Sequence, residues 1–501
     1  MCPTPPSVTT GTQPAHHQFE FDGGAKASPE RTQQTVSHPL PHATETTTHS
    51  VLHIGDNATI VRLVTEGSLY PHPIDRLVFR ALAARASICI TKADNDALLI
   101  DLNHERYRIK PASPQQIIEI HTSHGNDTVY IADTIKNPFH IETGPGNDTV
   151  VTSSGHATVL TGTGDDMVMT REGTIYVNTG DGNDIVNANG SGTTVAYTGK
   201  GTDFFRGGAG TSFVDAGEDD DIAVGGQGHS ILCGSDGDDL ITAGAGSSVI
   251  YTGLGRDMLN EIKNKDKVFT ESEPTYISEG AIVPRKAVEN TPGRFGANTF
   301  KVTSEPLSES GLVIYGSEEF TKRVQDDLKL LLSSGNGSQL LRELTKSIRK
   351  SRKAITIVEL KHVENGLYIP GRGDGRSRVH AGKHGLPDFG GTVYYNPTYS
   401  MPGSIPLIGL YHELCHAYNC VTGTQFPGTS PDGHLGTKQP PLVNNAELQA
   451  VGLPCNIEPF DFDNDPATPA RTTNPVPYSE NGMREELGLP LRKTYIHYVG
   501  D

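Results

Sequence analysis

The chain has 501 residues, 35% of them hydrophobic, and a formal net charge of −18, a length that fits roughly two to four domains with at least one real core. The acidic balance argues against nonspecific nucleic-acid binding, which depends on Lys and Arg meeting phosphates, and no apolar run approaches the roughly 18 residues of a membrane span. The six cysteines, Cys2, Cys89, Cys233, Cys415, Cys420 and Cys455, are too scattered for a disulfide framework, so reduced thiols and a cytosolic working place are expected.

Residues 1–50 hold 21 Ser, Thr or Pro and too few large apolar side chains to offset the entropy of ordering, so this tract reads as disordered. A Ser/Thr/Pro-rich start of this kind resembles an N-terminal type III secretion signal; an ordinary flexible tail is the alternative. Residues 51–120 read as a small α/β or β cap: Val78, Ala81 and Leu82 fit one side of a short helix, and 86–90 and 97–102 read as strands.

Residues 121–260 carry 19 acidic residues against five Lys and Arg, with 26 of the 56 glycines. Here the chain repeats. Aligned on the acid of each Gly-rich turn, Asp148, Asp166, Asp184, Asp203, Asp221, Asp239 and Asp257 recur every 18 or 19 residues, with an outlying copy at Asp127. Half a period later come turns without the acid, such as Gly208-Ala-Gly-Thr-Ser-Phe-Val. A short alternating apolar stretch follows each turn, the period of two that a strand needs. Two nine-residue half-turns per coil predict a parallel β-roll over 121–262.

These units resemble the RTX nonapeptide repeats, whose Gly-Gly-x-Gly-x-Asp turns bind Ca²⁺ between coils. The resemblance makes the seven aspartates candidate Ca²⁺ ligands, since carboxylates and turn carbonyls are the hard oxygen donors that ion prefers. Only one side of the roll keeps the acid, which leaves one row of sites. The competing reading is that each Asp simply bonds backbone amides.

Residues 263–310 read as a linker and 311–501 as an α+β domain. Phe320, Val324, Leu328 and Leu331 have helical spacing, as do Leu340, Leu341, Leu344 and Ile348 after a Ser338 cap. Ala354–Leu360 and Gly391–Tyr395 look like strands, the second an edge beside a cleft.

The sharpest signal is Tyr411-His412-Glu413-Leu414-Cys415-His416. On a helix, positions i and i+4 lie one above the other, so His412 and His416 can grip one metal ion. Glu413 then stands beside the metal as a proton acceptor for water. Catalytic zinc wants a third protein ligand. Asn419 and Thr422 stand where a metzincin continuation needs Gly and His, so that continuation fails. Glu447, central in a second helix near 444–454, is the leading third ligand; Asp432 and His434 compete with it. Arg492 and Tyr495, an Arg-x-x-Tyr pair, can stabilise the oxyanion of amide hydrolysis.

Together these residues resemble the NleD-like zinc metallopeptidases, type III effectors of plant- and animal-pathogenic bacteria. The resemblance covers the paired helices of 317–350, the His412–His416 motif, the Glu447 helix and the tail from Ser479 through Arg484 to Tyr495. Clostridial neurotoxin light chains are similar in using His-Glu-x-x-His, a distal Glu and Arg-x-x-Tyr. The fold class is therefore multidomain: a disordered N-terminus, an all-β parallel solenoid, and an α+β zincin-like metallopeptidase domain. The resemblance implies one catalytic Zn²⁺ per chain, secretion by the bacterium, and action in the host cytoplasm on a signalling protein such as a mitogen-activated protein kinase, with a secretion chaperone as a further partner. Two alternatives stand beside it. One is a Ca²⁺-binding solenoid adhesion or binding protein with an inactive peptidase domain; the other is an extracellular RTX-type metalloprotease.

Overall fold

The computed structural model describes residues 18–22, 31–37, 44–67, 72–270, 275–278, 281–283, 298–301, 310–361, 366–399, 403–433 and 440–496. Two compact units divide the chain, one within 1–298 and one covering 299–501 together with 268–271.

The first unit is a β-solenoid of about eight turns. Each coil lays one strand on either of two parallel sheets, so neighbours in a sheet are one coil apart in sequence. On one sheet Val150, Val168, Val186, Phe205, Ala223, Ile241 and Leu259 stand in register. On the other, Val159, Val177, Ala196, Val214, Leu232 and Ile250 do the same. All of these side chains are buried. Alternation sends every second residue inward, and a fully buried Val, Leu or Ile contributes about 1.5–3 kcal/mol. The 18-residue repeat thus sets both the register and the core.

The turns need glycine because successive coils touch backbone to backbone. Gly180 has φ +99°, and a Cβ there would lie 1.8 Å from the Gly162 carbonyl oxygen. Along the acid-bearing side, each Asp Oδ1 accepts the backbone amide of the equivalent Asp one coil earlier: Asp148 from Asp127 at 2.7 Å, Asp166 from Asp148 at 2.7 Å, Asp184 from Asp166 at 2.8 Å. The series continues through Asp203, Asp221, Asp239 and Asp257. The preceding turn residue runs a second ladder the opposite way. Asn147 Oδ1 accepts from the Asp165 amide and Asp165 Oδ1 from the Asn183 amide. Each turn is therefore tied to both neighbours.

Before the roll, the helix expected around Val78 is instead the strand Ile74–Ala81, antiparallel to Ala58–Gly67 and parallel to Ile117–His121. Leu77, Val78, Phe79 and Ala81 are all buried, and pairing on both edges decides for strand over local helical spacing. Ser87–Lys92 and Leu98–Leu102 are strands as expected. Most of 1–50, including the expected secretion signal, lies outside the described residues; its described segments Gln18–Asp22, Arg31–Ser37 and Thr44–Ile54 are strands rather than disordered chain. Cys89 is disulfide-bonded, which departs from the all-reduced expectation, whereas Cys233, Cys415, Cys420 and Cys455 are free and buried.

The second unit has a four-stranded sheet in the order Leu312–Tyr315, Ile355–Glu359, Gly391–Tyr395, Leu367–Pro370. The first three are parallel and the last antiparallel. Gly391–Tyr395, expected at the edge, is internal; the edge is Leu367–Pro370. Helices Glu318–Ser333 and Gly335–Ser351 bury the predicted apolar faces. The second begins four residues earlier than its sequence suggests, because Ser334 rather than Ser338 is the cap, accepting the Gly337 amide at 2.7 Å. Helix Pro406–Thr422 starts with Pro at its first turn and stops at Gly423, φ +72°. It is buried on nearly every side, as an apolar central helix must be.

Candidate metal centre

The central helix puts His412, Glu413 and His416 on one stretch, and the short helix Asn445–Val451 brings Glu447 opposite. His412 Nε2 and His416 Nε2 are 3.1 Å apart, and Glu447 Oε2 lies 3.3 Å from the first and 3.1 Å from the second. Ligand atoms about 2.0–2.2 Å from a tetrahedral zinc stand about 3.3–3.5 Å from one another, so this triangle has the size of one face of such a site. Among the described residues it is the one group of three His, Cys, Asp or Glu side chains placed to hold a metal.

The tautomer follows from the next layer. His412 Nδ1 lies 3.0 Å from Glu480 Oε2, so Nδ1–H donates to the carboxylate and the Nε2 lone pair faces His416 and Glu447. With His416 Nε2 likewise unprotonated, three acceptor atoms would converge, an arrangement that a cation satisfies. With no cation there, burial opposes the charge of His412, but Glu447 and Glu480 outweigh it and raise His412 to about 10, so a proton takes that place. Glu480 itself is wholly buried, and Arg484 Nε at 2.7 Å and an Arg492 NH group at 3.0 Å donate to it. Burial works against its charge, but His412, Arg492 and Arg484 outweigh that and hold its pKa down at about 2. Sequence reasoning missed Glu480. The usable signal was Glu480 and Arg484 four apart on one helix turn, a spacing that pairs opposite charges.

Glu413 is buried beside the triangle. Burial pushes its carboxyl above the ordinary range, against the pull of His412 and His416. The Tyr368 backbone amide bonds to it. The chain passes so close that a Cβ on Gly366 would sit 2.7 Å from Glu413 Cγ. For Glu447, burial again opposes charge, yet His416 and His412 hold the carboxylate well below its usual range.

Of the remaining candidates, Tyr495 packs 6.4 Å from the His412 ring, centroid to centroid. Burial, then Glu447, raises its phenol above the usual value. Arg492 is buried and spends its NH groups on Glu480 and on the Tyr495 carbonyl oxygen, with its guanidinium carbon 5.2 Å from the Tyr495 ring centre. Asp432 is fully buried, and its two oxygens accept the Tyr495 and Ile496 amides at 2.6 and 2.7 Å. It ties down the tail instead of joining the triangle. His434 lies outside the described residues.

In the roll, the candidate Ca²⁺ ligands Asp148, Asp166, Asp184, Asp203, Asp221, Asp239 and Asp257 are all buried. Both sequence readings of these residues have a counterpart. Oδ1 bonds an amide, while Oδ2 of Asp148, Asp166, Asp184, Asp221, Asp239 and Asp257 is buried without a hydrogen-bond partner. Burial, with neighbouring Asp charges adding to it, raises Asp166 and Asp239 to about 7 and Asp221 to about 9. A buried carboxylate oxygen with no donor needs a proton or a cation.

Residues 140–174, 197–232 and 234–260 match the RTX calcium-binding nonapeptide repeat, and residues 308–495 match Peptidase_M91, a family of effector proteins. No curated protein and no solved structure matches the chain. Among the described residues no helix is long and apolar enough to cross a membrane. The chain carries an effector-peptidase domain of the Peptidase_M91 family, preceded by RTX calcium-binding repeats.

Proposed function

We propose that the C-terminal domain is a zinc endopeptidase, delivered by a bacterium to host cytoplasm through type III secretion, that cuts a host signalling protein. The observation that carries this reading is the triangle of His412 Nε2, His416 Nε2 and Glu447 Oε2, 3.1–3.3 Å on each side. A zinc ion held there would acidify water and polarise the scissile carbonyl.

The chain's own groups supply the rest. Glu413 takes the proton of the attacking water and returns it to the leaving amine, a double role that suits a carboxyl raised by burial. Tyr495, kept protonated, donates to the carbonyl oxygen as charge develops on it. Arg492 acts as a positioning residue, holding Glu480 behind His412 and the Tyr495 backbone in place. The edge strand Leu367–Pro370, paired on one side only among the described residues and adjoining Glu413, offers its other side to an extended substrate backbone. A mitogen-activated protein kinase is a candidate substrate, and Ca²⁺ at the buried Asp oxygens is the proposed second cofactor.

The extracellular RTX-type protease is the second reading, favoured by the match of 140–174, 197–232 and 234–260 to RTX calcium-binding repeats, since calcium sites of about 10⁻⁴–10⁻³ M affinity fill outside cells. Incubation of the purified chain with host-cell lysate tests the main proposal. Cleavage that stops with a zinc chelator and is missing from Glu413→Ala is expected; chelator-resistant cleavage, or an active Glu413→Ala, would refute it.

A further inference from the structure

The edge strand beside Glu413 runs directly into the loop 371–390, which joins it to Gly391–Tyr395. This loop holds Arg372, Arg376, Arg378 and Lys383 against two acids, Asp374 and Asp388. Both acids are already committed. Asp388 is buried and accepts the Arg372 and Gly373 amides at 3.1 Å; Asp374 pairs with Arg376 at 2.8 Å. Arg372, Arg378 and Lys383 are exposed, and among the described residues no carboxylate lies at ion-pair distance from any of them. The loop's far half is pinned to the end of the central helix, through the Gly385 amide on the Gly423 carbonyl at 2.8 Å and the Asp388 amide on that of Cys420 at 2.9 Å. It is therefore a fixed part of the rim reached both along the edge strand from Tyr368 and along the helix from His416.

We infer that this loop is a specificity surface for an acidic flank of the substrate, with Arg372, Arg378 and Lys383 reading Asp or Glu a few residues from the scissile bond. The inference rests on the peptidase reading above. The placement follows from strand geometry. Tyr368, whose amide meets Glu413, is four residues from Arg372, at most about 13 Å at roughly 3.3 Å per residue, since the chain bends after the strand ends at Pro370. A substrate strand paired to this edge advances at the same rise, so its residue about four places from the cut comes level with the first free cation. The exposed cations gain from a partner without breaking any ion pair of their own.

The test maps new amino termini in host-cell lysate treated with the full chain, with Glu413→Ala, and with the triple variant Arg372→Glu, Arg378→Glu, Lys383→Glu. Bonds cut by the wild type and spared by Glu413→Ala should show Asp and Glu enriched about three to six positions away on one side. A peptide built on such a site should lose about tenfold in kcat/KM with the triple variant, and a version with a neutral flank less than about twofold. High salt should erase the difference, because exposed pairs are screened. Circular dichroism and retained cleavage of the neutral peptide show that the triple variant is folded. Absence of acidic enrichment, or equal loss on both peptides, overturns this inference alone. If the wild type cuts no bond beyond Glu413→Ala, the peptidase reading falls and takes this one with it.

Discussion

Buried carboxylates occur in both units, in opposite electrostatic company. In the roll, Asp166, Asp221 and Asp239 have other aspartates one coil away, and burial with that repulsion raises Asp221 to about 9. In the C-terminal unit, Glu480 is just as buried, yet His412, Arg492 and Arg484 surround it and its pKa falls to about 2. Burial alone does not decide the charge state; the sign of the neighbours does. The roll repeats one environment, so each Asp does the same thing, with one oxygen on an amide and a demand for a proton or cation on the other. The peptidase unit gives three glutamates three sets of partners, and with them the proposed separate tasks of base, ligand and orienting group.

The largest effect that would break this contrast is expected at Glu480. Glu480→Gln removes the charge behind His412 and leaves Arg484 and Arg492 without their shared acid. Metal affinity and kcat/KM should fall by about 10–100-fold, measured by competition with a chromogenic chelator and by peptide cleavage. Unchanged metal affinity would mean that the second layer does not tune the site.

Asp432 comes next. Asp432→Asn keeps the volume but weakens the clamp on the Tyr495 and Ile496 amides. A fall of about tenfold in kcat with KM and zinc content unchanged is expected, the size of losing a hydrogen bond to a charged group. Lost zinc would instead make Asp432 part of the metal site.

The smallest effect is expected in the roll. The folded pKa values of Asp257 (about 6), Asp166 and Asp239 (about 7) and Asp221 (about 9) lie above the unfolded value near 3.9. The stability they contribute is therefore complete below about pH 4 and lost as pH rises through about 6 to 9. In calcium-free buffer the Tm of the roll should drop by several degrees over that window, and millimolar Ca²⁺ should restore it at pH 7.5 and change little at pH 4. A flat profile would show that the Oδ1–amide ladder alone holds the coils. That ladder bears on a physical difficulty, since calcium sites of extracellular modules bind with Kd about 10⁻⁴–10⁻³ M, too weak for a cytosol. Amide bonds to Oδ1 supply cohesion between coils that requires no cation.

The roll was legible because its signal repeats: an 18-residue period fixes strand, register and inward column together. The pair His412 and His416 was legible for the same kind of reason, since i and i+4 is a local spacing. What escaped was set by contacts distant in sequence. Glu480 meets His412 across 68 residues, and Asp432 meets the tail across 63, so neither role has a local pattern. Val78 shows the reverse failure, where spacing that fits a helix yields to two neighbouring strands. The internal place of Gly391–Tyr395 is likewise a matter of pairing partners, which composition does not reveal.

The central claim, that the C-terminal acids divide into ligand and base, is tested most directly by the zinc content of the purified wild type, Glu447→Ala and Glu413→Ala after equilibration with limiting zinc. One zinc per chain in the wild type and in Glu413→Ala, and far less than one in Glu447→Ala, is the predicted result. Full zinc in Glu447→Ala, or its loss from Glu413→Ala, would contradict the account.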